Sequence, residues 1–147
     1  MNNTQKVSLL LLRVSSGWLF FWAGITKVLN PEWTAAGYLG GAKTFTSFFI
    51  WLSSPSILPI IDFLNEWGLT LLGVALILGI FVKLSSVLGA LLMLLYYLPI
   101  LDFPYPNAHS YIVDEHIIYI FVLIFFWAIN AGKYWGLDSF LRPKPTQ

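Results

Sequence analysis

Four apolar stretches, residues 7–29, 63–82, 84–101 and 111–129, each come close to the roughly 20 residues that carry a helix across a hydrocarbon core. Backbone amides cannot be left unpaired in lipid, so such stretches fold as helices and little else. The first stretch carries an internal arginine. The uncharged run after Arg13, residues 14–26, is too short to cross alone, so the span reaches back through residues 7–12 and takes the guanidinium with it.

Composition agrees. At 58% hydrophobic and 10% charged, the chain has too few charges to solvate a globular surface. The first run continues through Trp18, Phe20, Phe21 and Trp22, which predicts a retained span rather than a removed signal. The absence of cysteine excludes thiol redox chemistry, thiolate metal sites and cysteine-held iron–sulfur clusters on this chain. A net charge of +1 gives no footprint for nucleic acid.

The predicted fold is all-α: an integral membrane four-helix bundle forming a single domain over residues 1–147. Four spans place both termini on one side. That side carries Lys6, Lys83, Lys133, Arg142 and Lys144 against Asp138, whereas the other carries Glu32, Asp62, Glu66, Asp102, Asp114 and Glu115 against Lys27 and Lys43. The bias predicts a multi-pass protein with both termini cytoplasmic. Between spans one and two, residues 41–52 put Phe45, Phe48, Phe49 and Leu52 on one helical face, reading as a short interfacial or re-entrant outer helix over the mouth of the bundle. A helix resting on lipid as an anchor fits the same pattern. Lys83 alone separates spans two and three, so those helices are adjacent and antiparallel, and residues 102–110, with Pro104 and Pro106, form a rigid outer turn.

Polar residues inside spans are costly and need partners. Arg13, Gly17, Phe20, Gly24 and Lys27 recur at three- and four-residue steps, so they share one stripe, and its glycines mark a face that another helix approaches closely. Arg13 and Lys27 lie about 21 Å apart along the axis and belong to different sites. Arg13 either pairs with Asp138, the favoured reading, or snorkels to cytoplasmic phosphates. Lys27, Glu66 and Glu115, with Tyr119 one turn beyond Glu115, gather at the outer end. Two carboxylates beside one ammonium have coupled protonation, which suits proton exchange with a quinone and equally suits a purely structural ion-pair network. His109 and His116 raise a metal or haem reading, but Asp114, Glu115 and His116 as consecutive helical residues diverge by about 100° each, so no metal or haem is expected.

Taken together, Arg13-x3-Gly17-x6-Gly24-x2-Lys27, then Glu66 followed by Gly73 and Leu78-Gly79, then Glu115, and finally Gly132-x3-Gly136-Leu137-Asp138 resemble the DoxX family of small four-span membrane proteins. The resemblance implies a four-helix bundle in the cell (plasma) membrane of a prokaryote, related to the membrane subunit of an archaeal thiosulfate:quinone oxidoreductase. In it Arg13, Lys27, Glu66, Glu115 and Asp138 match recurring polar positions. The inward ionisable groups at the outer end read as a quinone-interacting subunit of a membrane oxidoreductase system, with electrons supplied by a partner redox subunit or soluble donor and the oligomeric state left open. No residue pattern assigns catalysis to this chain by itself. A non-catalytic assembly or anchoring subunit is the second reading, and a small-molecule or ion carrier the third.

Overall fold

Helices dominate the chain for the reason its apolarity demands, and their ends fall where the sequence supplies caps. The computed structural model describes residues 1–141. Arg142 and Lys144, counted above for orientation, lie outside the described residues. Helix α1 spans Asn3–Val28 and starts earlier than residue 7 because Asn2 and Gln5 form a reciprocal capping box. Helix α4, Leu58–Leu78, also starts early: Pro59 in its first turn is pre-set for a helical start. It stops at Gly79, whose φ of 68° is left-handed. Helix α5 runs Val82–Ile100, so the α4–α5 turn is residues 79–81 and Lys83 lies inside α5 rather than between helices.

The expected outer helix over residues 41–52 is shortened to α3 (Thr46–Leu52), and a further short helix, α2 (Ala36–Gly40), precedes the expected range. Phe45, placed on its apolar face from the sequence, precedes α3 with a left-handed φ of 49° and is exposed, while Phe49 is only 1% exposed. Helix α6, Glu115–Ile129, begins four residues later than expected because Asp114 caps it, accepting from the amides of His116 and Ile117. A 3-10 turn, Ala131–Lys133, and a last short helix α7, Asp138–Leu141, follow.

Helices α1, α4 and α5 are each long and apolar enough to cross a membrane, whereas α6 has 15 residues. The chain is thus a multi-pass membrane protein. Helix α1 packs along α4 and α5 along α6, and α4 meets α5 over a shorter length. The α1–α4 seam is built on glycine. A methyl group on Gly17 would lie 2.8 Å from the Ile77 amide, and one on Gly24 would lie 2.5 Å from Thr70 Oγ1, so only hydrogen allows the backbones this close. Hydroxyls along the lipid-exposed surface turn back on their own helices, as Ser16 does to the Leu12 carbonyl at 2.7 Å and Thr26 to that of Trp22 at 2.8 Å.

Candidate head-group cavity at the outer end

Two polar stations occupy opposite ends of the α1 stripe. At the inner end Arg13 is 1% exposed. Its Nη1 donates to the carbonyls of Ala131 at 2.8 Å and Tyr134 at 3.2 Å, and Nη2 donates to that of Trp135 at 3.1 Å. Gly79 and Gly136 make room for the guanidinium, since a methyl group on either would stand 2.8 Å from Nη1. Among the described residues the expected Arg13–Asp138 ion pair is not present within 4 Å: the carboxylate acts on the guanidinium only through space while carbonyls take the direct contacts, and the snorkelling geometry is not adopted. Asp138 is used otherwise: its carboxylate accepts from the amides of Phe81 at 2.9 Å and Val82 at 3.1 Å, capping α5 from a distant segment. Leu137 and Asp138 also donate backbone amides to the carbonyls of Leu78 and Gly79. The chain beyond α6 thus clasps both α1 and the α4–α5 turn.

At the outer end Lys27, one turn beyond Gly24, reaches inward. Its Nζ donates to Tyr96 Oη at 2.5 Å and sits 4.6 Å from the centre of the Trp33 ring. Tyr96 in turn donates to Asn65 Oδ1 at 2.5 Å, and Asn65 spends its amide nitrogen on the Ile61 carbonyl at 3.0 Å. The ammonium is thus held by a hydroxyl and by aromatic faces, an arrangement worth about 2 kcal/mol per desolvated cation–π contact. Tyr96 also stacks on His116 at 6.0 Å between ring centres, and His116 Nδ1 lies 2.7 Å from Asp114 Oδ2.

Lys27, Trp33, Asn65 and Tyr96 face a cavity of about 370 Å³ whose remaining walls are mostly apolar, among them Leu39, Phe49, Leu52 and Leu92. The outer segment roofs it, and the reason lies in α5. The last carbonyls of a helix have no partner of their own. The Lys43 amide donates to the Pro99 carbonyl at 2.8 Å, and Thr44 Oγ1 lies 2.7 Å from the carbonyls of both Leu98 and Leu101. Asp62 accepts from the Ala35 amide at 2.8 Å, and the Tyr38 hydroxyl donates to the Tyr96 carbonyl. Burial pushes the Tyr38 phenol up from its ordinary 10.0, and the neighbouring Tyr96, Asp114 and Glu115 add to the effect. Under this roof Ala35, Leu39, Ala42 and Phe49 form an apolar cluster of their own. On the inner side of Lys27 and Tyr96 lies a smaller cavity of about 160 Å³, which His116 also lines.

Of the outer-end residues singled out from the sequence, only Lys27 lines the larger cavity. Among the described residues no ion pair within 4 Å joins it to Glu66 or Glu115. Glu66 is half-buried, and its carbonyl lies against Gly24 and accepts from Thr70 Oγ1 at 2.7 Å. Glu115 is exposed in the first turn of α6. Tyr119 packs edge-on to Phe20, 6.0 Å between ring centres. Tyr96 and Asn65 take the places expected of the carboxylates. Asn65, an amide inside an apolar run, was the visible signal for this. The donor atoms of Asp114, Glu115 and His116 fall within 4.8 Å of one another, because Asp114 is extended and the helical divergence does not apply across it.

A family model described as DoxX matches residues 8–100, from the inner half of α1 to the last turn of α5. No curated protein and no solved structure matches the chain.

Proposed function

This chain belongs to the DoxX family, and from that premise we propose that it binds the head group of a membrane quinone as a subunit of an oxidoreductase system. The observation that carries the reading is the outer cavity: apolar walls, a volume within the range of small-molecule sites, and a lysine–tyrosine–asparagine chain at one side. An ammonium has three donors, of which Tyr96 engages one. The others suit a carbonyl or phenolate oxygen, while the flat ring lies against Trp33 and Leu39. Lys27 and Tyr96 then hold the oxygen and its proton. Lacking cysteine, the chain receives its electrons from a partner.

The same reading treats α6 as a fourth span, its 15 residues extended by the residues before Asp114 and accommodated by local thinning of the bilayer. The chain is then one four-span unit in the plasma membrane, both ends cytoplasmic. Single cysteines placed at Lys6 and Asn107 report this through an impermeant maleimide: labelling at 107 and protection at 6 in intact cells is expected, and the reverse overturns the orientation.

The function is tested by extracting the protein gently from its own membrane and measuring co-purifying and added quinone. Retention by the wild type and loss in Lys27→Met is the expected result. Equal retention by both, or none by either, overturns it. The Arg13 clasp favours a second role for the inner end, where buried charge fixes helix register and the docking of the C-terminal segment.

A further inference from the structure

The outer cavity is not sealed from the bilayer. Leu64 on α4 and Leu92 on α5 line it, and the same two residues line a groove of about 520 Å³ that runs down the lipid-facing surface between α4 and α5. The groove exists because these helices meet over a short length and because Gly68 stands in its wall: a methyl group there would meet nothing within 4 Å. Leu71, Leu84 and Leu88 border it, all exposed on a surface that faces lipid. From Leu64 to Ala75 it follows about 17 Å of α4. A second lipid-facing groove of about 390 Å³, between α5 and α6, shares no lining residue with the head cavity.

We infer that the α4/α5 groove is the tail channel of the quinone: the ligand enters sideways from the bilayer between Leu64 and Leu92, seats its head at Lys27, and leaves its hydrocarbon tail lying along Gly68. This rests on the head-group reading above. Lipid is as apolar as leucine, so the groove adds little affinity for a tail over the bilayer itself. Its role is permissive. With the roof closed by α2 and α3, a tailed molecule can seat its head only if the tail has an apolar exit, and α4/α5 supplies that exit.

The test measures binding to protein in lipid nanodiscs of two probes, methylnaphthoquinone without a tail and the same head with a geranylgeranyl tail. Gly68→Trp blocks the groove and Val87→Trp puts the same bulk into the α5/α6 groove. Gly68→Trp should weaken the tailed probe about ten-fold or more while leaving the tail-less probe roughly unchanged, and Val87→Trp should weaken neither. If Gly68→Trp affects both probes alike, or neither, the channel is disproved while the head site stands. If the wild type binds neither probe, the head-group reading falls and the channel with it. Should Gly68→Trp fail to fold, a tailed probe with a diazirine in mid-tail decides on the wild type. Crosslinks at Leu71, Leu84 or Leu88 that the tail-less head competes away support the channel, and crosslinks elsewhere or indifferent to competition overturn it.

Discussion

The guanidinium of Arg13 donates to the carbonyl of Ala131 at 2.8 Å, joining positions 118 residues apart. Two more carbonyls accept from the same fork, while Nε is buried without a hydrogen-bond partner among the described residues. Arg13→Met should therefore cost roughly 3 kcal/mol, and Arg13→Lys should recover only part of it, because an ammonium lacks the planar fork that spans Ala131 and Trp135. Thermal unfolding in detergent measures the cost. Hydrogen exchange should rise at residues 131–138 before it rises in α1 or α4.

Asp138 caps α5 through two amides, and its aspartate chemistry is separable from its position. Asp138→Ala should lose ~1 kcal/mol and Asp138→Asn a fraction of that, since the amide oxygen still accepts. Equal losses, read as unfolding midpoints, would show that the segment's packing rather than the cap matters.

The α1–α4 seam predicts intolerance to a single methylene. A side chain at Gly17 must displace the Ile77 amide or the Gly73 carbonyl, both backbone, so Gly17→Ala should destabilise by about 1–3 kcal/mol. Gly37→Ala, where a methyl group meets nothing, is the control and should leave the melting temperature within error.

Tyr96 links Lys27 to Asn65, whereas Glu115 is exposed. Tyr96→Phe should reduce quinone retention about ten-fold with a stability loss of only ~1 kcal/mol, and Glu115→Gln should change neither. Loss of retention in Glu115→Gln with normal Tyr96→Phe would move the site to the carboxylate.

Tyr38 is held protonated above its ordinary 10.0, foremost by burial. A raised value means the folded protein binds this proton more tightly than the unfolded chain. Its contribution is thus complete below 10.0 and is lost as pH climbs past that point. The stability gap between wild type and Tyr38→Phe should stay level through neutral pH and narrow in alkali, as followed by denaturation at stepped pH.

The helices and their polar stripe were legible because both follow from period and length. Leu9, Arg13, Gly17, Phe20 and Gly24 form the buried face of α1, four of them named from spacing alone. What spacing could not give was the identity of partners. Arg13 found carbonyls and not Asp138 because the left-handed turns at Asn130 and Trp135 fold the chain back across the helix end, and such turns carry no periodic signal. Lys27 met Tyr96 rather than Glu66 or Glu115 for a similar reason. Asp114 takes the cap and leaves Glu115 exposed, and Tyr96 stands in an apolar run near the end of α5 where spacing gives it no distinguishing signal. The roof was misjudged in extent because left-handed Phe45 delays α3 to Thr46 and a separate helix, α2, forms ahead of it.

The clasp at the inner end also sets an order on biosynthesis. Helix α1 is made and delivered to the membrane while residues 131–135 are still untranslated, so its cation must first be tolerated by water, phosphate or the insertion machinery. Only when the distal segment emerges does the guanidinium acquire its lasting hosts. Maturation of this protein is completed by a loop that follows directly on its last long helix.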